Sequence, residues 1–213
     1  MDTTTITIKA GGVYLEGLLT LPEPARGLVV FVHGSGSSRF SSRNQYVATM
    51  MNQEGLATLL FDLLTPEENE IDEITREYRF DIELLSQRTI ATIDWLGEQP
   101  QLKNLSTGLF GASTGAAAAL NAARERPGEI KCVVSRGGRP DLAMDSLPDV
   151  LAPTLLIVGS LDSEVLHLNK LAKQAMQAKC DIVTVDGATH LFEEPGTLDE
   201  AANAAKQWFL KYL

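Results

Sequence analysis

Polar and apolar residues alternate along Thr3–Ala10, with β-branched side chains prominent. A period of two marks a half-buried strand, and Gly11-Gly12 followed by Val13–Leu21 makes it an antiparallel hairpin. Leu28–Val32 reads differently, as an unbroken apolar run. Such runs belong to strands covered on both faces, as in a parallel sheet between helices. Leu56–Phe61, Gly108–Phe110, Cys132–Ser135, Thr154–Val158 and Ile182–Val185 are further short strand candidates. Between them the period changes. Ile82, Leu85, Thr89, Ile93 and Leu96 recur at steps of three and four, making one apolar helix stripe. The Ala-rich stretch Thr114–Arg126 ends at Pro127-Gly128, a helix stop. Val165, Leu168, Leu171, Ala175 and Met176 mark another helix, and Ala201, Ala205, Trp208, Phe209 and Tyr212 the last.

A hairpin followed by alternating strands and helices predicts an α/β architecture with a mostly parallel sheet. No repeat or linker divides the 213 residues, so the expectation is one domain over 1–213. Ligands of open sheets bind beyond the carboxyl ends of the strands. The loops at His33–Ser38, Gly111–Gly115, Arg136–Pro140, Gly159–Asp162 and Asp186–His190 all lie at such ends and should share one face.

Composition narrows the function. With 44% hydrophobic residues the chain can build a core. Its longest apolar runs, Leu28–Val32 and Ala116–Leu120, are far too short to span a bilayer, so no membrane role is expected. A net charge of −10 opposes nucleic-acid binding, which needs a basic field. The N-terminus lacks the basic and apolar regions of a secretory signal, and the two cysteines, Cys132 and Cys180, form neither a disulfide framework nor a zinc motif. A cytoplasmic location is expected. No P-loop or complete dinucleotide fingerprint occurs, and no cofactor or metal is expected.

Gly111-Ala112-Ser113-Thr114-Gly115 matches G-x-S-x-G, and it falls where a buried strand passes into a helix. With 17 Gly and 12 Ser in the chain, chance alone gives about 0.07 matches, so the strand–helix context adds the weight. A serine nucleophile needs a base. Of three histidines, His167 belongs to a helix pattern and His33 shapes the loop after the first central strand. His190 lies in a loop beyond the last strand, on the expected face. Asp162, directly after the preceding strand, is the better-placed carboxylate to orient that imidazole, ahead of Glu164 and Asp186. Backbone amides of Ser35 and Thr114 are candidates for holding an oxyanion, with Gly36 as the alternative to Ser35.

These residues resemble the α/β-hydrolase superfamily along nearly the whole chain, in the form of dienelactone hydrolase-like proteins. His33-Gly34-Ser35-Gly36, Gly111–Gly115, Gly159…Asp162 and Gly187-Ala188-Thr189-His190 carry the resemblance. It implies a sheet of about eight strands with helices on both faces, and a Ser-His-Asp hydrolase of esters or lactones. Dienelactone hydrolases proper use cysteine where this chain has Ser113, so a serine esterase acting on a small-molecule ester is the reading. An acyltransferase using the same triad, or a ligand-binding homologue without catalysis, are the alternatives. Eighteen residues separate Ser135 from Thr154, too few for a helical cap domain. Leu63–Arg79, acidic and irregular, is the other candidate lid.

Six of the ten arginines, Arg39, Arg43, Arg76, Arg79, Arg136 and Arg139, fall in segments on the expected catalytic face. Guanidinium forks recognise carboxylates and phosphates. Arg136, Arg139 and Arg39 are accordingly candidates to bind an anionic substrate group, and the competing expectation is that such arginines pair with nearby acids.

Overall fold

The computed structural model describes residues 2–213. Thr3–Ala10 (β1) and Val13–Thr20 (β2) form the expected hairpin. The remaining strands are Leu28–Val32 (β3), Ala57–Phe61 (β4), Thr107–Ala112 (β5), Ile130–Arg136 (β6), Thr154–Gly159 (β7) and Cys180–Val185 (β8). They make one sheet in the order β1-β2-β4-β3-β5-β6-β7-β8. Among the described residues only the two pairings made by β2 are antiparallel.

Helices cover both faces, which explains the unbroken apolar runs. Leu28, Val30 and Val32 point into the layer shared with Ile82–Glu98 (α3), Thr114–Glu125 (α4) and Ser163–Ala175 (α5). Val29 and Phe31, the alternate positions, face Ser42–Gln53 (α1) and Thr197–Tyr212 (α6). The alternation is present, but both sides are core.

Two connections refine the sequence reading. Leu63–Arg79 is not irregular: Pro66–Thr75 (α2) is helical, opened by a reciprocal cap between Thr65 and Glu68. Its polar composition hid it, because it presents little apolar face and buries only Asp72. That carboxylate accepts the Tyr78 and Arg79 amides and pairs with Arg79 Nε at 2.6 Å, anchoring the segment. Burial raises the Asp72 pKa, but the hydrogen bonds and charge of Arg79 outweigh it and hold the group below its ordinary value. The stretch between β6 and β7 is filled by 3-10 turns over Pro140–Asp149.

His33 acts as the sequence anticipates, as a loop former. Its Nδ1 donates to the Gly34 carbonyl at 2.9 Å, and its Nε2 accepts the Leu63 amide at 3.1 Å. Both nitrogens are thus used by a neutral ring, whose pKa is depressed by burial against the opposing pull of Gly34 and Asp62. A histidine depressed in the folded state contributes stability that is complete above its unfolded pKa, about 6.5, and is lost as pH falls below it. Urea midpoints should therefore drop from pH 7.5 to pH 5.5, and His33→Gln should flatten part of that slope. An equal slope in both proteins removes His33 as its source.

Candidate active site

Ser113 stands between β5 and α4 with φ 51° and ψ −123°, a left-handed conformation that L residues rarely keep. The two glycines of the pentapeptide explain how the turn fits. A Cβ on Gly111 would lie 2.4 Å from Ala116 Cα, and one on Gly115 would lie 2.2 Å from the Val32 carbonyl oxygen. The turn can therefore press against both its own helix and strand β3. The Ser113 amide donates to the Arg136 carbonyl, and its carbonyl accepts from the Ala116 and Arg139 amides. Its side chain caps nothing on α4 and lines a cavity of about 250 Å³.

His190 lines the same cavity. Its Nδ1 lies 2.6 Å from Asp162 Oδ2. Asp162 occupies the N-cap position of α5 yet does not cap it, turning its carboxylate to the imidazole instead. The two loops that carry this pair are packed backbone to backbone: Leu161 N donates to Ala188 O, and a Cβ on Gly159 would lie 2.2 Å from that oxygen. No hydrogen bond joins His190 to Ser113 among the described residues. All three residues singled out from the sequence are brought to one end of the sheet.

The oxyanion candidates show an arrangement the sequence did not suggest. The Ser35 amide donates to Thr114 Oγ1 at 3.0 Å. The hydroxyl of the residue after Ser113 thus satisfies the donor expected from the other loop. Gly34 closes the gap, since a Cβ there would sit 3.0 Å from Ser113 Cβ. A second omission is Glu194, which binds the Thr189 amide and hydroxyl at 3.1 and 2.6 Å and so holds the His190 loop. Those hydrogen bonds depress its pKa. Its place four residues after His190 was the available signal.

The candidate arginines separate cleanly. Arg39 pairs with Asp62 and Glu16, and Arg139 forms a fork with Asp141 at 2.9 and 2.8 Å. Both are taken by carboxylates of the protein, and neither lines the Ser113 cavity. Arg136 does line it, together with Arg43.

The profile of the Dienelactone hydrolase family matches residues 15–213. The chain belongs to that family. A crystal structure of a dienelactone hydrolase from Anabaena variabilis is 52% identical, covering 100% of this chain and 98% of its own, with a TM-score of 0.98. Est1E from Butyrivibrio proteoclasticus, at 16% identity and 98% coverage of both chains, has a TM-score of 0.82 and shares the fold. Proteins named "Putative phosphoribosyl transferase" from two Mycobacterium tuberculosis strains are 56% identical over 208 residues. The match covers 98% of this chain and 46% of theirs, so the chain spans about half the length of these relatives. In this dienelactone hydrolase family member the two cysteines are buried in β6 and β8. Burial pushes the Cys132 thiol up to about 12 and the Cys180 thiol up to about 11. Neither lines the Ser113 cavity.

Proposed function

We propose that this chain is a serine hydrolase that cleaves a small-molecule ester or lactone through an acyl-enzyme on Ser113. The observation that carries the reading is the Asp162–His190 pair, 2.6 Å apart, beside a serine held in a strained strand-to-helix turn of the same cavity. Asp162 accepts the Nδ1–H and leaves Nε2 as the base. His190 takes the proton from Ser113 Oγ as that oxygen bonds to the substrate carbonyl carbon. The carbonyl oxygen becomes an oxyanion, received by the Thr114 amide and by the Ser35 amide once substrate displaces its contact with Thr114 Oγ1. Collapse breaks the bond to the leaving oxygen, which takes the proton from His190. Water then attacks the acyl-enzyme with His190 again as base, releasing the acid and restoring Ser113.

Labelling tests it. A fluorophosphonate should add to the peptide containing Ser113 and to no other, and an activated ester should give a burst of alcohol equal to the enzyme concentration. Labelling elsewhere, or none at all, removes the acyl-enzyme. Product analysis with added alcohols separates hydrolysis from acyl transfer.

A further inference from the structure

The cavity of Ser113 holds a positive charge that the protein does not neutralise. Arg136 is 8% exposed, and its Nη2 donates to the uncharged Asn44 Oδ1 at 3.3 Å. Its Nη1 is buried without a hydrogen-bond partner among the described residues. The charged group acting on it is Arg43, a second cation; burial first, and Arg43 second, lower its pKa to about 10, so it remains charged at neutral pH. The rings of Phe110 and Phe192, 5.8 and 5.9 Å away, offer weak cation–π contact but no carboxylate or carbonyl acceptor. Arg39, Arg79, Arg88, Arg126 and Arg139 by contrast each face a carboxylate. A buried, uncompensated guanidinium is costly to keep, and this one lies where substrate must bind.

Its surroundings extend the same character. Ser41, Arg43 and Asn44, at the start of α1, line the cavity, and the first turn of that helix contains no acidic residue. Arg43 touches one carboxylate, the exposed Glu193, at 3.5 Å. Ser35 and Ser37 add hydroxyls to the wall. Two guanidinium charges and the positive end of a helix suit a phosphate monoester, with its charge of about −1.5 to −2, better than a carboxylate. Donors from several directions also suit a tetrahedral anion better than a planar one.

The cavity further selects a half of the substrate. The leaving oxygen takes its proton from His190, so the alcohol half lies on the side of His190 and Arg136. An adjoining cavity of about 260 Å³ shares Gly34, Ser35 and Ser37 with the first and is lined by Leu63, Leu64, Pro66 and Leu85. Its charged residues are paired with one another, Arg39 with Asp62 and Glu16 and Arg79 with Asp72, which leaves the apolar wall for an acyl chain.

We propose that Arg136 and Arg43 form a phosphate subsite for the leaving half, so that the preferred substrates are acyl esters of a phosphorylated alcohol. The inference rests on Ser113 being the acylated residue, and the test separates the two. kcat/KM is compared for 1-O-acetylglycerol 3-phosphate, neutral 1-O-acetylglycerol, O-acetylglycolate with its carboxylate on the alcohol half, and glycerol monosuccinate with its carboxylate on the acyl half. The wild type should favour the phosphate ester over the neutral one by about 10- to 100-fold, the range of charge-assisted hydrogen bonds, and over both carboxylates. Arg136→Gln should bring that ratio to near one, Arg136→Lys should recover part of it, and Arg43→Gln should lower it by a smaller factor. A wild-type ratio near one, a preference for either carboxylate, or an unchanged ratio in Arg43→Gln or in folded Arg136→Gln overturns the proposal. Calorimetric binding of glycerol 3-phosphate to Ser113→Ala provides a readout free of catalysis. Binding that is lost on adding Arg136→Gln and weakened on adding Arg43→Gln supports the subsite even if Ser113 proves not to be acylated, and absence of binding overturns it.

Discussion

Replacing Ser113 by alanine is expected to remove about four to six orders of magnitude of kcat toward an activated ester. The loss is large because, in the proposed mechanism, the hydroxyl is the atom that bonds to substrate, and the two thiols are not placed to substitute. Cys132 and Cys180 are buried in strands with thiol pKa values raised by desolvation. His190→Ala should cost a similar amount, since it removes the proposed base. The Ser113→Ala/His190→Ala double variant should be scarcely worse than either alone, because the two groups act as one unit. Asp162→Asn should be milder, at about 10⁴-fold, because the ring loses its orienting carboxylate but keeps its position. Steady-state kinetics on all four proteins, after active-site titration of the wild type, measures these losses. Multiplicative effects in the double variant, or a Ser113→Ala enzyme within tenfold of wild type, would show that the chemistry lies elsewhere.

Gly115→Ala is expected to destabilise the fold by about 3 kcal/mol or more, at the upper end of overpacking costs. The added carbon would lie 2.2 Å from Val32 O and 2.4 Å from His33 O, both backbone atoms of the central strand and its loop. No side chain can swing aside to make room. Helix α4 would have to move away from β3, and both are fully packed in the same layer. Activity should fall as well, because the displaced loop carries Ser35. Gly128→Ala is the matched control: a Cβ there meets nothing within 4 Å and should leave stability nearly unchanged. Urea midpoints of the two variants against the wild type decide the matter, and equal midpoints for Gly115→Ala and Gly128→Ala would refute the packing argument.

Much of this site was legible in one dimension because its parts are local. The elbow is a pentapeptide whose glycines mark where backbone must come close. Ser113, Asp162 and His190 each follow a strand recognisable by its apolar run, and parallel topology sends all such ends to one face. Helix α2 was missed because its periodicity carries little apolar contrast; its stability comes from a cap and a buried ion pair rather than an apolar stripe. The link between Ser35 and Thr114 was illegible because it joins residues 79 positions apart.

The arginines mark the boundary most plainly. Chemistry and placement nominated Arg39, Arg136 and Arg139 alike, since all follow strands on one face. Which of them carries a free charge depends on where the acids come to rest. Arg139 meets Asp141 two residues away, Arg39 meets Glu16 of β2 and Asp62 just after β4, and Arg136 meets, among the described residues, only Asn44 and two aromatic rings. The linear chain thus determined the sheet, its layers and the placing of Ser113, Asp162 and His190 after successive strands, because short-range periodicity and turn chemistry encode them. Only the folded chain decided which polar groups neutralise one another and which are left without a partner, because pairing of charges depends on distances of a few ångströms between segments far apart in sequence.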